Sequence, residues 1–90
     1  MPRHPVAAES DFGLKIVRSF WKKQTTKRSY NELRVCTWSR ANQRCLEYRR
    51  VFLKGDGTEL QNKLVGIDEE VLKIILINLD EIKRLLAEKE

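Results

Sequence analysis

The stretch from Asn31 to Leu53, NELRVCTWSRANQRCLEYRRVFL, decides the fold. It holds two runs rich in β-branched and aromatic residues, and a short polar turn at 40–43 separates them. Such a pattern predicts an antiparallel hairpin with strands at 30–39 and 44–53. Arginines alternate with Trp38, Tyr48 and Phe52 along both strands. This combination suits unpaired nucleic acid, because guanidinium groups neutralise phosphates and aromatic faces stack on bases.

The segments on either side of the hairpin complete a sheet. Residues 14–22 predict a first strand, and residues 23–29 predict a polar, basic loop. The Gly-Asp-Gly turn at 55–57 allows positive φ, and a short fourth strand is expected at 59–67. Residues 1–12 contain two prolines and no periodicity, so they are expected to form a flexible tail. The folded domain is therefore expected to span residues 13–90.

A single C-terminal helix is predicted after Asp68, which is a good N-cap residue. Its apolar residues recur at helical spacing over an arc about twice the roughly 100° that a helix needs to pack on its own sheet. The extra width indicates a second buried contact, most simply the same helix of another subunit. The predicted dimer interface comprises Ile74, Ile77 and Leu85, unless these are ordinary exposed apolar residues. The fold class is thus α+β: a four-stranded antiparallel β-meander followed by one C-terminal helix (ββββα), dimerised through the helices.

Charge is unevenly distributed along the chain, whose formal net charge is +5. Residues 1–66 carry 14 Lys and Arg against six Asp and Glu, whereas residues 67–90 carry four against seven. The positive field therefore belongs to the predicted sheet. This asymmetry indicates a polyanionic partner on one face. A basic surface that only serves solubility is the alternative.

Side chains alternate along a strand, so Arg34, Trp38 and Arg40 are expected on one face of the second strand. A tryptophan flanked by two arginines makes Trp38 the sharpest candidate for a base-stacking site. A core position is the open alternative for Trp38, and equally for Trp21 and Tyr48.

The two cysteines, Cys36 and Cys45, are too few for a disulfide framework. With His4 as the sole histidine, they also do not make a four-ligand zinc site. The hairpin allows the two thiols to lie opposite each other, but buried thiols are favoured over a disulfide.

Several motifs in order resemble a known family. Residues 46–52 (LEYRRVF), a glycine-containing turn and residues 63–68 (KLVGID) lead into an amphipathic helix. This order resembles the C-terminal domain of positive cofactor four, a family of single-stranded-DNA-binding transcriptional coactivators. Residues 32–38 resemble the short bacterial and phage members, in which a Glu-Leu strand ends in Trp. The likeness covers roughly residues 14–87.

The resemblance implies a ββββα protomer that dimerises through its helices and holds single-stranded DNA on a basic, aromatic-lined sheet with little sequence preference. Arg49 stands at the family's third-strand arginine, Glu47 at its acidic position and Trp38 at its second-strand tryptophan. The chain departs from the family at Asp68, where Ser or Thr is usual, and at Arg50, where an acidic residue is common.

Binding of single-stranded DNA is therefore the expected function, with RNA as an open alternative ligand. The role would be that of a coactivator-like transcription protein or a DNA-processing accessory protein. The residues expected to contact nucleic acid are Lys22, Lys23, Lys27, Arg28, Arg34, Trp38, Arg40, Arg49 and Arg50.

Other classes of function are less favoured. An enzyme is not expected, because metal-dependent phosphodiester cleavage needs clustered carboxylates and the basic stretch 15–54 has only Glu32 and Glu47. No cofactor, metal or small-molecule substrate is expected. No apolar run approaches the roughly 20 residues that span a bilayer, so no membrane partner is expected and the location would be intracellular, in a nucleus or a bacterial cytoplasm. The alternative function is a protein-interaction module that uses the wide apolar helix face and a sheet edge.

Overall fold

The computed structural model describes residues 14–38 and 43–88, except for the side chain of Trp38. Within these ranges the chain forms one antiparallel sheet with the strand order β1-β2-β3-β4, followed by two short helices. The predicted meander and the α+β class are confirmed, but a break divides the predicted single helix. The flexible tail expected at 1–12 lies outside the described residues. The elements are β1 (Lys15–Thr26), β2 (Ser29–Trp38), β3 (Gln43–Leu53), β4 (Glu59–Leu64), α1 (Glu69–Ile77) and α2 (Leu79–Ala87).

The first hairpin is longer than the sequence suggested. β1 continues to Thr26, so the loop predicted at 23–29 was wrong and the turn contains only Lys27 and Arg28. Thr25 and Thr26 are β-branched and favour a strand. Their hydroxyl oxygens lie 2.7 and 2.6 Å from the hydroxyl of Ser29, which begins β2. These contacts join the two strands at the turn.

Simple alternation of side chains fails in β1. Its register against β2 shifts between Ile16 and Arg18, between Ser19 and Trp21, and again near Thr26. Each irregularity inserts a residue and turns the following side chains to the other side. Arg18 consequently faces the same side as Trp21, whereas alternation placed the two on opposite sides. Between β2 and β3 no such shift occurs over the paired residues.

The helices cover one face of the sheet, here called the helix face. Leu33, Tyr48 and Val71 form its buried centre. The Trp21 ring stacks on Tyr48 with ring centroids 6.3 Å apart. Trp21 and Tyr48 therefore belong to the core, which settles the alternative left open for them. The partly buried residues packed around this centre are Phe20, Trp21, Leu46, Val65, Ile74 and Ile75.

A side-chain cap begins α1, and an asparagine separates α1 from α2. The carboxylate of Asp68 accepts a hydrogen bond from the backbone N–H of Val71 at 3.0 Å, as its N-cap role predicts. At the other end of α1, the Asn78 side-chain amide donates to the Ile74 carbonyl at 2.9 Å. The backbone N–H of Asn78 lies 3.2 Å from the carbonyl oxygens of both Ile74 and Ile75. Local amide bonding of this kind competes with the regular helical pattern and accounts for the break.

None of the helices in the described ranges is long and apolar enough to cross a membrane.

Candidate nucleic-acid interface

The face of the sheet away from the helices, here called the opposite face, has an ion network at its centre. Arg34 is fully buried, and its Nη1 lies 3.1 Å from a Glu32 carboxylate oxygen and 3.9 Å from one of Glu59. Arg49 donates from Nε to Glu47 at 2.7 Å and from Nη1 to Asn62 at 2.8 Å. The ion network comprises Glu32, Arg34, Glu47, Arg49 and Glu59.

This burial overturns one predicted contact. Arg34 was expected to meet phosphate at the surface, but its exposed fraction is 0%. β2 lies between β1 and β3, and carboxylates on β2 and β4 lie within 4 Å of the guanidinium. A charge this deeply buried needs an ionic partner inside the protein. Arg34 is therefore a structural residue in this protomer.

Arg49 is also engaged within the protein. Its side chain is 16% exposed, and a carboxylate and an amide hold it on two sides. With three carboxylates against two guanidinium groups, the centre of the opposite face is not a positive surface. Any phosphate contact on this sheet would therefore lie away from its centre.

Exposed cations gather where two turns meet. The turns that join β1 to β2 and β3 to β4 lie side by side, since the Leu53 backbone N–H donates to the Arg28 carbonyl at 2.7 Å. The Arg28 guanidinium lies over Gly55, 3.8 Å from the position that a Cβ would take there. Lys27, Arg28 and Lys54 are all exposed, and none of them forms an ion pair with a described residue. These three residues are called the turn-end cluster.

The acidic residue nearest in sequence to the turn-end cluster is held by its own turn. The carboxylate of Asp56 accepts hydrogen bonds from the Thr58 hydroxyl at 2.7 Å and the Thr58 backbone N–H at 3.0 Å. These bonds lower the pKa of Asp56 from its usual value. The charge of Lys54 also lowers the pKa of Asp56, but Lys54 forms no ion pair with this carboxylate and its side chain stays exposed.

Lys54 was missed by the sequence analysis, although a signal for it existed. In an antiparallel meander the first and third turns lie at the same end of the sheet. A basic residue beside the Gly-Asp-Gly turn is therefore brought close to Lys27 and Arg28. Combining that topology with the charge pattern would have included Lys54.

An aromatic residue with a cation lies on the opposite face close to this end. Lys22 Nζ lies 4.9 Å from the centroid of the Tyr30 ring, within the range of a cation–π contact. Lys22 pairs with Glu32 in the register and so belongs to the opposite face. Burial, followed by nearby Glu32 and Glu59, raises the pKa of Tyr30, so its hydroxyl stays protonated and able to donate. Tyr30 is a further candidate that the sequence analysis did not select.

Two other predicted contacts lie on the helix face. Lys23 forms an ion pair with Glu70 of α1 at 2.9 Å, and that hydrogen bond raises the pKa of Lys23. Arg50 donates from Nε to the Asn31 side chain at 3.0 Å. These two cations are therefore separated from the opposite face by the sheet itself.

The predicted stacking site is only partly described. Trp38 ends β2 opposite Gln43, and its side chain lies outside the described part of the structure. Arg40 lies outside it entirely.

Of the three predicted dimer residues, two pack against the core of their own protomer and one is exposed to solvent. Leu85 is 9% exposed and packs inward, so it was wrongly assigned to a dimer interface. Ile74 is also partly buried, because it packs against the core of its own protomer. Ile77 is 77% exposed and remains a candidate. Other large apolar residues exposed on or beside the helices are Leu72, Leu76 and Leu79.

Among the described residues, no group of three or more His, Cys, Asp or Glu side chains is placed to hold a metal ion.

Comparisons of the chain with protein-family models, with curated protein sequences and with solved structures found no match.

The structural role of Arg34 can be tested by its removal. Arg34→Ala leaves the Glu32 carboxylate buried without its ion pair, and we expect a loss of about 3–5 kcal/mol in the free energy of unfolding. Urea denaturation followed by circular dichroism measures it. Arg34→Lys keeps the positive charge but not the planar guanidinium group, and its free energy of unfolding should fall by less than that of Arg34→Ala.

The matched control is Lys27→Ala, which removes an exposed cation and should change stability by no more than about 0.5 kcal/mol. Equal urea midpoints for Arg34→Ala and Lys27→Ala would contradict the buried placement of Arg34.

Proposed function

We propose that this protein binds single-stranded DNA as a homodimer, with phosphates held at the turn-end cluster and bases stacked on Tyr30 and Trp38. The observation that carries the proposal is that Lys27, Arg28 and Lys54 are exposed and unpaired within the described residues, although most of the other cations have partners. RNA is the alternative ligand. The role would be coactivator-like or accessory to DNA processing, inside the cell and without catalysis or a cofactor.

Unpaired exposed cations favour a polyanion for a thermodynamic reason. A lysine or arginine that neutralises a phosphate releases the counterions condensed there, and this release drives binding. A cation already paired with a carboxylate adds less to the free energy of binding, because its ion pair must be broken before it can contact a phosphate. The turn-end cluster therefore contributes more per residue than Arg49 or Lys23.

A single strand suits this surface better than a duplex. Reading a duplex in the major groove commonly requires a helix or a β-ribbon that fits the groove. Here the first turns of α1 and α2 are acidic, with Glu69, Glu70, Asp80 and Glu81, and would repel phosphates. The sheet offers Tyr30 on its opposite face, and the sequence adds Trp38 at the far end of β2.

Tyr30 and Trp38 mark the two ends of β2, whose ten residues extend about 30 Å at roughly 3.3 Å per residue. The β2 side chains from Asn31 to Thr37 are buried, so an oligonucleotide that runs from the turn-end cluster to Trp38 would contact the neighbouring strands between these two ends. Contacts to phosphates and ring faces carry little base information, so weak sequence preference is expected.

A protein-interaction module is the second candidate, and one observation favours it. Leu72, Leu76, Ile77 and Leu79 are 39–77% exposed on or beside the helices. Exposed apolar groups of this kind often mark a contact with another protein. The homodimer would cover them with a second copy, whereas the interaction module would use a different partner.

The phosphate contacts can be tested by salt dependence. Arg28→Gln combined with Lys54→Gln should weaken binding to a labelled oligothymidine of roughly 20 nucleotides by at least about tenfold at low salt. The slope of log K against log salt should become shallower by about 1.4, at roughly 0.7 per lost phosphate contact. Fluorescence anisotropy over a salt series, with unlabelled duplex as competitor, measures both.

The matched control is Lys73→Gln combined with Lys83→Gln, two exposed helix cations whose removal changes the net charge equally. It should retain the parent's slope. If both double variants weaken binding to the same extent, net charge alone is responsible and the turn-end cluster is not the site.

Stacking at Trp38 can be observed directly. Trp21→Phe keeps an aromatic ring beside Tyr48 and leaves Trp38 as the sole tryptophan. Addition of oligothymidine should quench its emission. Trp38→Ala should weaken binding about 5- to 150-fold, from the roughly 1–3 kcal/mol that stacking contributes per base, and Trp38→Phe should retain most of it. Unchanged emission during binding would remove Trp38 from the site.

The homodimer predicts a sedimenting mass of twice the 10.6 kDa protomer. Ile77→Asp places a charge in the proposed interface and should reduce that mass to one protomer while circular dichroism stays unchanged. The control is Ile67→Asp, because Ile67 is also exposed but precedes α1. A parent protein that sediments as one protomer would favour the interaction module instead.

A further inference from the structure

The two cysteines occupy one rung of the sheet. Cys36 of β2 and Cys45 of β3 are direct register partners, and both are free thiols. Directly opposite residues in an antiparallel pair have Cα atoms about 4.5 or 5.5 Å apart, depending on the type of rung. Either spacing falls within the roughly 4.4–6.8 Å that a disulfide spans. Because opposite residues point to the same side, both sulfur atoms lie on the opposite face.

The surroundings give the two thiols different roles. Cys36 is fully buried, whereas Cys45 is partly exposed. The Cys36 thiol donates a hydrogen bond to a Glu47 carboxylate oxygen at 3.2 Å. Burial, followed by that bond and the Glu47 charge, raises the pKa of Cys36 to about 12. Cys36 therefore stays protonated at neutral pH, with a carboxylate in position to accept its proton.

We propose that Cys36 and Cys45 form a reversible disulfide across the β2–β3 hairpin when the protein meets a low-molecular-weight disulfide such as oxidised glutathione. The Cys45 thiolate attacks one sulfur of the reagent, the reagent's S–S bond breaks, and one glutathione thiolate leaves. Cys36 then attacks the Cys45 sulfur of the mixed disulfide and passes its proton to Glu47. The second glutathione leaves as a thiolate and takes up the proton that Glu47 received, so Glu47 returns to its carboxylate form. The protein loses two thiol hydrogens, and one glutathione disulfide becomes two thiols.

Oxidation would change a defined part of the sheet. The Cys36–Glu47 hydrogen bond would be lost, and Glu47 would keep its bonds to Arg49. The new bond would close the hairpin two residues from Trp38, at the far end of β2 from the turn-end cluster. The disulfide is thus independent of the proposed phosphate contacts.

Mass spectrometry of the full chain tests this proposal. The reduced protein is incubated with oxidised glutathione at pH 8, quenched with N-ethylmaleimide under denaturing conditions and weighed intact. We expect a protein that has lost two hydrogens and takes up no maleimide, in place of two alkylated thiols. Trypsin cleaves after arginine, so the digest should contain residues 35–40 linked to residues 45–49. Dithiothreitol should restore both thiols.

Two variants test the order of steps. Cys36→Ser should stop at a stable glutathione adduct on Cys45, because the resolving thiol is absent. Cys45→Ser should remain free of adduct in the folded state, since Cys36 is buried. The proposal is overturned if the parent protein stops at the glutathione adduct, links two chains together, or stays fully reduced while its urea-unfolded form is oxidised.

Discussion

The sheet depends on one interaction, the ion pair between the buried Arg34 guanidinium and the Glu32 carboxylate. Helices cover one face of the sheet, yet β2 is buried on both faces. On the helix face Leu33 and Val35 supply ordinary apolar burial. On the opposite face the buried side chains include an ionic group, in which the Arg34 guanidinium lies within 4 Å of Glu32 on its own strand and of Glu59 on β4, two strands away. A pair of this kind gives little net stability, but loss of one partner leaves an expensive uncompensated charge. The edge strand β4 is therefore tied to the centre of the sheet by charge.

The same interaction determines where the protein can present positive charge. Arg34 and Arg49 are the cations at the middle of the opposite face, and each forms an ion pair with a carboxylate. The three cations of the turn-end cluster form no ion pair with a described residue, because the acidic residues of the sheet concentrate in the ion network. The result is a neutralised centre with a positive end. Chain composition reports only the sum of these two regions, so a net charge of +5 says little about the site itself.

The sequence predicted the positions of the strands and helices better than it predicted the face of the sheet on which each side chain lies. Alternating apolar residues and the Gly-Asp-Gly turn located the strands within a few residues, and Asp68 marked the start of the helices. The errors concern features that depend on three-dimensional neighbours. Irregularities in β1 moved Arg18 to the other face, and nothing local in the sequence specifies a bulge there. Whether Arg34 meets solvent or Glu59 depends on a strand that begins 25 positions later.

The wide apolar arc of the helical segment contains two groups of residues, one buried in the core and one exposed. Val71, Ile82 and Leu85 turn inward and complete the core, which explains part of the arc that suggested a dimer. Ile77 and Leu76 remain exposed and still lack a covering partner among the described residues. These apolar groups lie on the helices, whereas the turn-end cluster lies at the strand ends. A partner that covers the helices, whether a second copy or another protein, would therefore not compete for the cations that we propose bind phosphate. The proposed self-association and the proposed nucleic-acid binding would then be separable, and the loss of one should leave the other measurable.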